Sequence, residues 1–131
     1  MFVETGDLEG VPLARLEGEI TTLAAHINAA TCRFLELVGE FDRREGWAQW
    51  GCASAAEWLS WRCGLCPRTA REHVRVAGRL RELALLRGAF ARGELSFSQV
   101  RAICPARPGA PRWRIRALLE ARWHSPSLSR Q

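Results

Sequence analysis

Apolar residues recur along the first third of the chain at alternating intervals of three and four. Leu13, Leu16, Ile20, Leu23, Ile27, Ala30, Phe34, Leu37 and Phe41 form this series. That is a heptad a/d seam held for about four heptads, on a helix roughly 40 Å long. Such a seam either zips to a second copy of the chain or lies along the chain's own later helices. Gly18 and Gly39 weaken the helix slightly and stand off the seam, as do His26 and Asn28, which read as surface residues.

A polar exit, 42–46, ends this helix. Trp47 and Trp50 follow between Gly46 and Gly51; with Trp58 and Trp61 they read as core residues clamping the long helix onto what comes next, in preference to exposed base-stacking groups. Ser54 and Glu57 have capping-box spacing and open a second helix, which Gly64 ends. Pro67 suits the first turn of a third. Helix, tight glycine turn, helix is the outline of a helix-turn-helix. Leu83, Leu85, Leu86, Ala89 and Phe90 make a further helix closed at Gly93, and Ser96 or Ser98 caps another that runs to Ile103. No stretch alternates convincingly as a strand. The expected fold is all-α: a long N-terminal helix packed on a helix-turn-helix-like pair and further short helices.

The third helix carries the candidate chemistry. Arg68, Arg71, Arg75 and Arg79 fall within roughly 80° of one helix face, opposite Ala70, Val74 and Ala77. Guanidinium groups so arrayed suit phosphates and guanine edges in a DNA groove, with Thr69 and His73 at the margin. A solvated face is the bland alternative. Charge supports the first reading. Residues 1–57 hold ten acids and four arginines, whereas residues 58–103 hold three acids and nine arginines. The positive half coincides with the helix pair, as expected if that end meets a polyanion. The chain has no lysine, so codon bias accounts for part of the arginine count.

Five cysteines form no even framework, no basic leader precedes them, and no apolar run is long enough to span a membrane. A reduced, cytoplasmic protein is expected. Cys63 and Cys66 make a single CxxC. It lacks the second pair a zinc site needs and the strand-to-helix setting of a redox pair, so two incidental thiols are the simpler reading. At Cys104 the composition shifts, with four of the six prolines, six arginines and one acid in 104–131. The domain plan is therefore a flexible lead over 1–12, a helical domain over 13–103, and an Arg/Pro-rich tail over 104–131. The tail reads as disordered or as the product of a shifted reading frame; a basic arm gripping nucleic acid is the alternative.

Three ordered motifs, Ser54 to Gly64, Arg68 to Ala77 and Ala89 to Ile103, resemble the 13E12 repeat family, the actinobacterial domain of unknown function 222 that often precedes an HNH endonuclease. The resemblance implies a mobile-element or repeat-associated protein whose N-terminal domain has no settled biochemical role and whose nuclease part is missing here. The second helix of the pair and the 93–96 segment are also faintly similar to DNA-binding helices of ParB-type partition proteins. An HNH site needs two histidines and an asparagine around a metal, and His26, His73 and His124 are isolated from one another. Neither phosphate loop, serine triad nor carboxylate pair is present. The chain is read as a DNA-binding module and not an enzyme, with no cofactor, metal or small-molecule substrate. The alternatives are a homodimerising interaction module, in which the arginine stripe only faces solvent, and a truncated fragment without function.

Overall fold

The computed structural model describes residues 7–104 and Glu120. Five α-helices follow in order: α1 Leu13–Arg43, α2 Ala55–Cys63, α3 Pro67–Leu80, α4 Ala84–Ala91 and α5 Phe97–Ile103. There is no strand among the described residues, and the all-α expectation holds. A single 3-10 turn over Leu8–Gly10, capped by Asp7, precedes α1. Residues 1–6 and the tail beyond Cys104, Glu120 apart, lie outside the described residues.

The helix ends follow from local chemistry. The Ser54 Oγ accepts from the Glu57 N–H at 3.1 Å. Glu57 in turn accepts from the Ala53 N–H at 3.0 Å, one residue before the cap amide that the sequence pattern names. Gly64 ends α2 at φ 71°, a left-handed conformation open to glycine at no steric cost. Cys66 caps α3, with Pro67 in its first turn. At α5, Ser96 and Gln99 complete a reciprocal capping box, so Ser96 rather than Ser98 is the cap.

α1 packs mainly on α3 and α4, and α2 lies against α3. Leu35, Leu59, Val76, Leu80, Leu86, Phe90, Leu95 and Val100 make the centre of the core. Two glycines set how closely the backbones meet. A Cβ on Gly39 would stand 3.3 Å from the Ala77 carbonyl oxygen, so a side chain there would push the α1–α3 crossing apart by a few tenths of an ångström. Gly93, at φ 78°, lies so near the Ala25 carbonyl that any Cβ would collide with it.

The heptad seam is not what faces this core. Cys32, Leu35, Val38 and Gly39 are the buried positions of α1, and Leu13, Ile20, Leu23, Ile27 and Leu37 are exposed. The packing face is turned about 110° from the seam, with Leu35 and Val38 filling the core and Gly39 letting the α3 backbone come close. From the seam, Phe34 and Phe41 reach inward, against His73 and Trp58, and Leu16 is partly buried. Asn28 is half-buried beside the packing face rather than on the surface, and His26 is exposed.

The tryptophans also divide. Trp58 packs on Phe41 at 4.4 Å between ring centroids. Trp47 donates to Asp42 Oδ1 at 3.1 Å. Trp50 and Trp61, expected in the core, are more than half exposed.

Candidate nucleic-acid interface

α3 presents its arginines in two groups. Arg68 and Arg71 stand exposed in its first two turns, and neither side chain has an ion pair or hydrogen bond to another described residue. Gly64 and Pro67 fix the short turn that precedes them. The positive end of the α3 dipole adds to their field. Arg71 lines a shallow groove with Ser54, Ala56, Glu57, Ser60 and Pro67, where the starts of α2 and α3 converge. Ala70 and Ala77 on the opposite face are buried, as the spacing predicts; Val74 is only partly so, and Val76 completes the inner face.

Arg75 is different. It donates to Glu72 at 2.6 Å, and to the carbonyl oxygens of Cys104 and Arg101 at 3.4 Å each. Arg101 of α5 also donates to Glu72, at 3.0 Å. Glu72 is therefore a hub inside the arginine stripe. The Arg75 guanidinium, joined by Arg101, pulls its carboxyl down to about 2. Arg75 ties α3 to α5, which makes it a structural residue first. Arg79 is half-exposed on the next turn, without an ion pair among the described residues.

Thr69 and His73, expected at the margin of the stripe, are turned to other tasks. The Thr69 hydroxyl lies 3.0 Å from Cys66 Sγ, and the His73 Nδ1 is 2.8 Å from the Thr69 carbonyl. His73 stacks on Phe97 at 4.2 Å and meets Phe34 edge-on. Glu82 sits in the turn after α3, without an ion pair among the described residues.

One cluster was not legible as a site. Trp50 and Trp61 stand 6.1 Å apart, with the Arg62 guanidinium within 6 Å of both rings. The signal lay in angular position: Trp61 is about 160° around α2 from the buried Leu59. Trp61 and Arg62 lie on α2, the helix that precedes the turn, and Trp50 in the 3-10 turn over Ala48–Trp50 just before it.

The two thiols of the CxxC are both exposed. The Thr69 hydroxyl, with the nearby backbone, holds the Cys66 thiol below its ordinary range. Burial pushes Cys32 up to about 11, with Glu36 adding to the effect, and burial also raises Cys104. No three of His, Cys, Asp or Glu among the described residues come together as a metal site. No helix among them is long and apolar enough to cross a membrane.

These features define an all-α domain built on a long first helix and a short-turned helix pair. The chain belongs to the family described as domain of unknown function 222 (DUF222), whose model matches residues 13–125. The matched span opens on the first residue of α1 and continues past α5 through a stretch that composition alone set apart as a tail. No curated protein and no solved structure matches the chain.

Proposed function

We propose that this chain is a DNA-binding module that grips the duplex backbone through the start of α3. The observation that carries this reading is the exposed pair Arg68 and Arg71, with no counter-ion among the described residues, immediately after a three-residue turn. Guanidinium groups placed at a helix start, where the helix dipole is also positive, are suited to phosphate oxygens. Arg79 extends the grip by two turns, and Arg75 holds the helix in place against α5. The charge division along the chain points the same way, since the acidic residues concentrate before α2. The resemblance implies a neighbouring HNH nuclease, and a module of this kind would deliver such a nuclease to DNA.

The test is binding of the full chain to a labelled duplex across a salt series. Replacing Arg68 and Arg71 together by Ala should reduce the salt slope by about 2, because each phosphate left unneutralised takes about 0.9 from it. Arg75→Ala should lower thermal stability and, at a temperature where it stays folded, leave most of the slope intact. Equal slopes for the double variant and the parent would make the arginines a solvated face.

A further inference from the structure

The seam of α1 fits a second copy of this chain, and it fits in one orientation. Leu13, Ile20, Leu23, Ile27 and Leu37 are between 48 % and 80 % exposed, at a and d positions of a seam whose Phe34 turns inward. From Leu13 to Leu37 this apolar row extends about 36 Å at 1.5 Å per residue. An exposed row of that length is characteristic of an interaction surface.

The flanks of the seam decide the orientation. One flank, through Thr31 and Val38, turns toward the chain's own helices; Val38 is buried there. The other flank carries Glu19, His26 and Arg33, all on the open side; Arg33 is exposed, and Glu19 and His26 are partly or fully so. In a parallel pair, each residue of the open flank would face Ala24, Thr31 or Val38 of the other copy, and no charged pair forms. In an antiparallel pair centred near Ala25, Leu23 meets Ile27, Ile20 meets Ala30 and Leu13 meets Leu37. Glu19 then faces Arg33 across the interface, twice by symmetry. His26 faces its own copy at the centre.

We propose that two copies of this chain pair antiparallel along α1 in this register, forming an isologous dimer. It buries all five exposed seam residues at once. It also sets the two α2–α5 bodies at opposite ends of the paired helices, each beside the first turns of the other copy's α1. Glu19 and Arg33 have local partners in Arg15 at 3.4 Å and Glu36 at 3.3 Å. Those are exposed intrahelical pairs, which exchange readily for a cross-helix partner. This inference rests on α1 alone and stands or falls apart from DNA binding.

The test is sedimentation equilibrium of the full chain over a wide concentration series, with helicity followed by circular dichroism. The expected mass is that of two chains. Ile20→Glu with Ile27→Glu should give a single chain of unchanged helicity, because both positions are exposed within one copy. Glu19→Arg and Arg33→Glu should each weaken association several-fold, and their combination should restore it. His26→Cys, in a chain whose Cys52, Cys63 and Cys66 are Ser, should cross-link into a covalent dimer with oxidised glutathione. A single-chain mass throughout overturns the proposal. So does a dimer that survives the paired Ile substitutions, and so does a dimer in which His26→Cys fails to cross-link and the charge swap does not restore association. If only removal of residues 105–131 produced a dimer, the seam would belong to the chain's own tail instead.

Discussion

Arg101 of α5 donates its Nε to Glu72 Oε1 of α3 at 3.0 Å, so a residue in the middle of the arginine stripe belongs to the fold as much as to the surface. Arg75 completes the link from the same helix. This triangle draws the end of the described fold back onto the helix that carries the candidate interface.

Glu72→Gln should lower stability by about 1 kcal/mol at neutral pH, the size expected of a partly screened ionic network. The folded carboxyl lies at about 2, below its ordinary 4.5. A depressed carboxyl stabilises the fold fully above its unfolded value, and the contribution is lost as pH falls through the folded one. The gap between parent and variant should therefore be constant above pH 4.5 and close by about pH 2. Urea titrations at several pH values measure it.

Gly93→Ala should be among the most damaging single substitutions, costing about 2–4 kcal/mol. It combines a left-handed backbone at φ 78° with a Cβ forced into the Ala25 carbonyl. Gly18→Ala is the counterpart. It lies in mid-helix with open space around it and should stabilise by about 0.5–1 kcal/mol. Thermal melts of the two should move in opposite directions.

Trp58 and Trp50 should separate as sharply. The Trp58 Nε1 is buried without a hydrogen-bond partner among the described residues. Trp58→Phe keeps the packing on Phe41 and removes an unsatisfied donor, so it should stay within about 1 kcal/mol of the parent. Trp58→Ala should cost about 3 kcal/mol. Trp50→Ala, at an exposed ring, should change stability by less than about 0.5 kcal/mol.

Thiol labelling near neutral pH should proceed in two stages. Cys66 should react first, because it is exposed and its thiol is held low by Thr69; Thr69→Val should slow it. Cys32 and Cys104 should react only as fast as the fold opens, since both are buried and raised. A Cys32 that labelled as readily as Cys66 would contradict the packing of α1.

Much of the local structure was legible in the residues themselves. The Ser54–Glu57 pair, Gly64, Pro67 and Ser96 each act through neighbours a few positions away, so their spacing sufficed to place the ends of α2, α3 and α5. The all-α class followed from the same periodicities, and the family from the order of the three motifs. The split of the arginine stripe was not legible. Spacing puts Arg68 and Arg75 on one face, but whether Arg75 is available depends on Cys104 and Arg101, almost thirty residues away.

The continuous apolar seam of α1 could be read without any fold, because helical periodicity is a property of the chain alone. Which face of α1 meets the other helices could not. That choice turned on how closely backbones approach, at Gly39 against Ala77 and at Ala25 against Gly93. Close packing selected the face of Cys32, Leu35, Val38 and Gly39 and left most of the seam facing outward. Periodicity records how apolar a face is; which neighbour it meets depends on shape, and shape is fixed only when distant segments come together.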